Sequence, residues 1–241
     1  MNRILSNLKE NWITYGFETL VVIVGILIAF GLNNWNQTRL NRQLERDYLE
    51  RLKIDLIYDK SYYQRRSSES QKRVENYKLA IDKLYNIQET VQDAGEIMLL
   101  ADWDTEHLSV QDFTFKELNS SGNLGLIQNV SLRDSLISYY KEVDAVAKHV
   151  QEINEWSVER LNNYSFRYQI GASRFEQRRE YLIENPEQLL KDFNDPGSKS
   201  FIAYEQAISA YQLKNETFFF YFSEMEDRTE RLIQKLNDQL K

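Results

Sequence analysis

The chain has 241 residues, of which 42% are hydrophobic and 28% charged, with a formal net charge of −7. This acidic balance argues against a nucleic acid partner, which needs clustered Lys and Arg, and the absence of cysteine excludes disulfides, cysteine zinc sites and thiol catalysis. With only 2 prolines and 8 glycines, the chain is expected to hold long uninterrupted helices.

After a short tail, residues 1–12, the segment 13–33 is predicted to be a transmembrane helix. It is apolar on every face from Leu20 to Leu32, and about twenty helical residues span the ~30 Å of a bilayer's hydrocarbon core. Trp12 and Trp35 bracket it as interfacial anchors do. Two alternatives stay open, which are a cleaved signal peptide ending near Ala29 and Gly31, and a buried helix of a soluble fold.

Glu18 is a carboxylate within this apolar segment. It lies about 9 Å along the axis from Trp12, close enough to an interface to reach headgroups or water. The alternative is a proton-binding or helix-pairing carboxylate inside the membrane. Orientation is predicted by two opposing arguments: Arg39, Arg42 and Arg46 favour a cytoplasmic C-terminal domain, whereas a short uncleaved tail favours the opposite. We expect the large domain on the periplasmic side of a bacterial inner membrane.

The segment 34–88 is predicted to be one long stalk helix, with Leu40, Leu44 and Leu52 on an apolar face that recurs every fourth residue. Its polar middle, Ser61–Arg73, has three interpretations: a solvated helix, a kink, or a turn back. The region 89–130 is less regular, with short helices expected near 93–101 and 110–120. Further helices are predicted at about 131–168, after a capping box at Ser131, and at 199–240, capped by Ser198.

The last helix repeats apolar residues in heptads, which indicates a bundle with aromatic layers. The tract Phe218–Phe222 is wider than one face, so it is either buried on two sides or part of an interface. The expected fold is therefore all-α, with one transmembrane helix followed by an elongated bundle of three to four long helices over 34–241. Those heptad positions are Tyr204, Ile208, Tyr211, Phe218, Phe222, Met225, Leu232 and Leu236.

A small polar loop joins two of these helices. Gly122 suits the position after a helix where a positive φ is needed, so we interpret the loop as a connector, with a polar recognition loop as the alternative. Its residues are Asn119, Ser120, Ser121, Gly122 and Asn123.

Catalytic chemistry is not indicated. His107 lies beside Asp102, Asp104 and Glu106, which we interpret as a solvated acidic loop in preference to a cation site. No nucleophile, paired acid and base, or phosphate-binding loop is recognisable. We therefore expect no enzyme activity, no cofactor, no metal and no small-molecule substrate.

Two stretches, GILIAFGLNNWNQTR (25–39) and FKELNSSGNLGLIQNVSLRDSLISYY (115–140), resemble a family of single-pass membrane proteins common in Bacteroidota. The resemblance implies a membrane anchor and a helical domain, and it carries no catalytic residues.

Two functions follow as hypotheses. The first is a membrane-anchored helical scaffold or receptor-like interaction module, whose partners are the lipid bilayer and either itself or another membrane protein. The second is a single-span subunit of an ion-powered membrane complex that uses Glu18, because a carboxylate entering a single apolar helix is similar to the anchoring subunits of proton-driven complexes.

Overall fold

A computed structural model describes residues 12–163 and 186–241, over which the chain forms six α-helices, one short 3-10 helix and no strand. The all-α prediction is confirmed. The tail residues 1–11 and the end of the predicted 131–168 helix lie outside the described residues. The helices are α1 (Trp12–Leu84), α2 (Val91–Leu100), α3 (Phe113–Ser120), α4 (Val130–Asn163), α5 (Pro186–Phe193) and α6 (Lys199–Leu240), with the 3-10 helix at Asn123–Leu126.

Helix α1 is a single unbroken helix of 73 residues, about 110 Å long at 1.5 Å per residue. Its first part is long and apolar enough to cross a membrane, with a mean hydropathy of 2.0 and none of that window buried. Its second part enters a packed core from Glu45 onward. The helix ends at Leu84, earlier than expected, where the Gln88 side-chain amide donates to the Lys83 carbonyl at 2.8 Å.

Helix α6 runs antiparallel to α1, so its C-terminal end lies nearest the apolar segment. The pairs Lys60–Glu230 and Lys78–Glu216 set this register. Helix α4 packs along α6, also antiparallel, through the Tyr139–Thr229 hydrogen bond of 3.0 Å. The bundle therefore has three long helices, with α2, α3 and α5 filling its sides and far end.

Two hydrophobic clusters make up the core. The cluster nearer the apolar segment, called the proximal core, is built by α1, α4 and α6 around Leu52, Leu136 and Phe222. The farther cluster, called the distal core, is built around Tyr77, Ile97 and Tyr204, and includes α2 and α5. Every heptad position predicted for α6 is buried, so that prediction is confirmed.

The polar middle of α1, Ser61–Arg73, lies between the two cores. The helix continues through it without a break and does not turn back, and its polar side chains meet partners in the bundle. Tyr62 and Tyr63 are buried, and Ser67 shares a 2.8 Å hydrogen bond with Ser223 of α6. The turn-back and fully solvated interpretations are therefore wrong.

Leu40 and Leu44 differ from the predicted apolar face, since they are 46% and 40% exposed. Burial begins at Glu45, so none of the described helices covers these two side chains. Glu45 lies thirteen positions after Leu32, which places about 20 Å of helix between the apolar segment and the bundle.

Side chains cap the starts of three later helices. Thr90 and Asp93 form a reciprocal capping box at the start of α2, which the sequence analysis missed. Ser198 caps α6 as predicted, accepting from the Phe201 N–H at 3.0 Å. Helix α4 instead begins with Asn129, whose side-chain oxygen accepts from the Leu132 N–H at 3.1 Å. The capping box predicted at Ser131 is wrong, because Ser131 already lies inside the helix.

Candidate functional site

The longest irregular segment that the structure describes, residues 101–112, crosses α1 at the boundary between the two cores. Arg73 of α1 meets three of its carboxylates. The guanidinium nitrogens lie 3.0 Å from Asp102, 3.1 Å from Asp104 and 2.7 Å from Glu106. We call these four residues the Arg73 cluster. One planar cation thus holds three alternate residues of the segment, a geometry suited to the guanidinium fork.

The centre of the Arg73 cluster is removed from water. The Glu106 side chain is 1% exposed and that of Arg73 is 16% exposed, whereas Asp102 and Asp104 are about half exposed. Burial acts to lower the pKa of Arg73, but the Glu106 hydrogen bond and the charges of Asp102 and Glu106 outweigh it and raise that pKa. Arg66, one heptad earlier on α1, lies 3.1 Å from Glu106 and adds a second cation.

Lys214 of α6 completes the boundary from the opposite side. It is 2% exposed and donates to the Asp104 carbonyl. Its ammonium nitrogen lies 4.0 Å from the centre of the Tyr211 ring, which is within the range of a cation–π contact. Burial, followed by the charge of Arg73, lowers the pKa of Lys214 to about 8.

The backbone of the segment is held as firmly as its carboxylates. Tyr62 donates to the His107 carbonyl at 2.8 Å, and Tyr77 donates to the Asp102 carbonyl. The Asn154 side chain of α4 accepts from the Glu106 N–H at 3.2 Å and donates back to its carbonyl. The interpretation as a solvated acidic loop is therefore wrong, because the segment joins α1, α4 and α6.

The predicted polar loop lies at the end of the bundle nearest the apolar segment. Gly122 has a φ of +73°, as the helix-ending prediction requires. The hydroxyls of Ser120 and Ser121 donate to the Glu117 carbonyl, at 3.3 and 2.7 Å, and so satisfy the end of α3. Asn123 donates to the Tyr48 hydroxyl at 3.3 Å. These contacts suit a connector, and recognition by this loop stays a prediction.

The predicted membrane residues lie along the first part of α1. Trp12 is its first described residue, and Trp35 follows about 35 Å farther along the axis, with 66% of Trp35 exposed. Glu18 is exposed and lies within the apolar part of the helix. The anchoring role of the tryptophans and any role of Glu18 stay predictions.

The aromatic tract of α6 divides between core and surface. Phe218 and Phe222 are fully buried, whereas Phe219 is 39% and Phe220 61% exposed. Leu213, two turns before Phe220, is 53% exposed on the same side of the helix. We call Leu213, Phe219 and Phe220 the α6 patch. Ser209 and Thr217 beside it carry no charge, whereas Glu216 and Glu224 lie one turn to either side of Phe220.

A second group of exposed apolar side chains lies on α1. Ile54, Ile57 and Tyr58 are 67%, 48% and 54% exposed and occupy adjacent turns. We call them the α1 patch. Contiguous exposed apolar side chains on an otherwise charged surface are typical of interaction sites.

No family model, curated protein or solved structure matches this chain. The site therefore has to be interpreted from its own geometry.

The acidic residues of the Arg73 cluster were recognisable from the sequence, but their partners on α1 were not. The signal was present: Arg66 and Arg73 are seven apart on α1 and so share one face of the helix, while Asp102, Asp104 and Glu106 alternate as they do in an extended segment. Neither pattern indicates where the chain folds back. The contact between this face of α1 and the acidic segment was therefore not predictable.

Proposed function

We propose that the protein is a membrane-anchored helical interaction module with no catalytic role. The single observation that carries this proposal is α1, which is apolar and exposed over a membrane-spanning length and then becomes a core helix of the bundle without a break. Helix α1 therefore contacts the bilayer through its first part and, through its second part, belongs to the bundle that a partner would bind.

The geometry of the bundle supports the interaction role. Two groups of exposed apolar side chains among the described residues, the α1 patch and the α6 patch, lie on the outer faces of the long helices, away from the cores. Burying a large apolar side chain contributes about 1.5–3 kcal/mol, so either patch offers the centre of an interface. We propose that the partner is a second copy of the chain or another membrane protein.

Two experiments test the proposal. Full-length protein carrying an intact N-terminus is mixed with lipid vesicles and floated through a density gradient. We expect the protein to float with the vesicles, and recovery of unprocessed protein in the soluble fraction would contradict the anchor. A cysteine introduced at Lys241, probed with an impermeant thiol reagent, tests the proposed periplasmic side.

The partner is tested by purification in mild detergent. The double variant Leu213→Ser/Phe220→Ser changes the α6 patch and Ile54→Ser/Tyr58→Ser changes the α1 patch, and each serves as the matched control for the other. We expect one pair to abolish co-purification or self-association and the other to leave it unchanged. Retention of every partner by both double variants would contradict an interface at these patches.

A second function, a single-span subunit of an ion-powered complex, is favoured by one observation. Glu18 is the only charged residue from Trp12 to Thr38 and lies exposed on the apolar helix, where an ionised carboxylate costs a few kcal/mol. If the protein is a subunit of an ion-powered complex, we expect Glu18→Gln to abolish the activity of that complex. If it is an interaction module, we expect Glu18→Gln to leave partner binding intact.

A further inference from the structure

A buried carboxyl group lies in the proximal core, and no described residue forms an ion pair with it. Asp59 of α1 is 0% exposed. One of its oxygens accepts the Gln111 N–H at 2.7 Å, and the other has no hydrogen-bond partner. An ionised carboxylate in such a place is strongly disfavoured unless it is paired.

Hydroxyl groups surround this carboxyl. Among the described residues none lies at hydrogen-bond distance and angle from its second oxygen, whereas the nearby Tyr139 hydroxyl favours its charged form weakly. The Tyr63 and Tyr140 hydroxyls are buried and unpartnered. Tyr139 also faces Asp59, yet its proton is directed at Thr229, because the Thr229 hydroxyl donates its own proton to the Met225 carbonyl at 2.6 Å. The Tyr139 oxygen therefore has a free lone pair, and a protonated Asp59 would be a suitable donor to it.

The charged groups around Asp59 add to the case for a neutral acid. Asp55, one turn earlier, and Asp112, in the crossing segment, are both negative and act on it. The cations nearby are engaged elsewhere: Lys60 pairs with Glu230, Lys116 with Asp112, and Arg66 with Glu69 and Glu106.

We propose that Asp59 is a proton-binding site, occupied in the folded protein below neutral pH, and that loss of this proton releases the segment around Gln111 from α1. The reaction is one dissociation: the Asp59 O–H bond breaks, the proton goes to solvent, and a buried carboxylate remains beside Asp55 and Asp112. Separation of the segment from α1 then admits water to the charge.

Burial, followed by the charges of Asp55 and Asp112, raises the pKa of Asp59 from 3.8 to about 7, against the opposing Gln111 hydrogen bond. The folded state thus binds this proton about a thousandfold more tightly than the unfolded chain. Because the folded pKa is the higher one, the stabilisation is complete below pH 3.8 and is lost as the pH rises to about 7.

The test compares full-length protein in detergent with Asp59→Asn, and with Asp227→Asn as an exposed control on α6. Melting temperatures are measured from about pH 5 to about pH 9. We expect Asp59→Asn to melt above the wild type at the alkaline end, with a difference that shrinks toward the acidic end, while Asp227→Asn follows the wild type. A variant less stable than the wild type at every pH would overturn the proposal.

Wild-type protein alone provides a second test, which does not depend on the folding of a variant. The infrared band of protonated carboxyl groups, in protein labelled at aspartate, should lose intensity near neutral pH. Hydrogen exchange at the Gln111 amide, corrected for its intrinsic pH dependence, should accelerate over the same range. Absence of a titrating carboxyl band overturns the proton site, and unchanged protection of Gln111 overturns the release of the segment.

Discussion

Replacing Arg73 by Met should destabilise the bundle strongly, because it leaves the buried carboxylate of Glu106 without its nearest cation. Removing one partner of a buried ion pair costs about 3–5 kcal/mol. The exposed pairs with Asp102 and Asp104 add little, about 0–1 kcal/mol each. Arg66 remains near Glu106 and still offers it a positive charge. We therefore expect a loss of unfolding free energy at the lower end of the buried-pair range, about 3 kcal/mol.

The assay is urea unfolding of full-length protein in detergent, followed by circular dichroism. Arg46→Met is the matched control, since the Arg46–Glu50 pair also joins an α1 arginine to a carboxylate but is more than half exposed, and it should cost no more than about 0.5 kcal/mol. Glu106→Gln and the double variant Arg73→Met/Glu106→Gln complete a double-mutant cycle. The double variant should lose less unfolding free energy than the two single variants together, by at least about 1 kcal/mol.

A different outcome would refute this reasoning. If Arg73→Met cost no more than Arg46→Met, or if the losses from Arg73→Met and Glu106→Gln were additive, the ion pairs would not hold the crossing segment. The segment's position would then depend on its backbone contacts to Tyr62, Tyr77 and Asn154.

Three further predictions use the same unfolding measurement. Phe218→Ala should cost about 3–5 kcal/mol because the side chain is fully buried. Phe220 is exposed, so Phe220→Ala should change stability by no more than about 0.5 kcal/mol. Equal losses would contradict the assignment of Phe218 to the core and Phe220 to the surface. Gly122→Ala should cost about 1 kcal/mol or more because of its positive φ, and Gly125→Ala, with open space and no such φ, is the control that should not. Lys214 has a folded pKa of about 8, below its ordinary 10.5, so wild-type stability should rise as the pH increases between these values. Lys214→Met should remove that rise. An unchanged slope of stability against pH in this variant would contradict the burial of the Lys214 amine.

The helices were predictable from the sequence because their periodicity is local. The apolar face of α6 and the cap at Ser198 depend only on spacing along one helix, and both were found. The end of α1 was predicted four residues too late. The Gln88 side chain lies outside the helix and donates a hydrogen bond to the Lys83 carbonyl in its last turn, which periodicity does not indicate. Asn129 was overlooked in favour of Ser131 because both residue types cap helices.

The candidate site was less predictable because it depends on contacts between distant segments. Arg73 and Glu106 are 33 residues apart, and Asp59 meets Gln111 across 52. A polar stretch such as Ser61–Arg73 gives the same pattern whether it faces water or a crossing segment. Only the path of residues 101–112 over α1 distinguishes the two.

The most direct test of the central claim, that one continuous helix joins the bilayer to the bundle core, is an accessibility scan by electron paramagnetic resonance. The chain has no cysteine, so nitroxide labels can be placed singly from Leu20 to Leu56 in protein reconstituted into lipid vesicles. We predict uniform oxygen accessibility without periodicity up to Leu32, water accessibility on all sides from Asn33 to Leu44, and a helical periodicity of burial beyond Glu45. Helical periodicity of water accessibility within Leu20–Leu32 would show instead that this stretch packs in a soluble fold, and would contradict the claim.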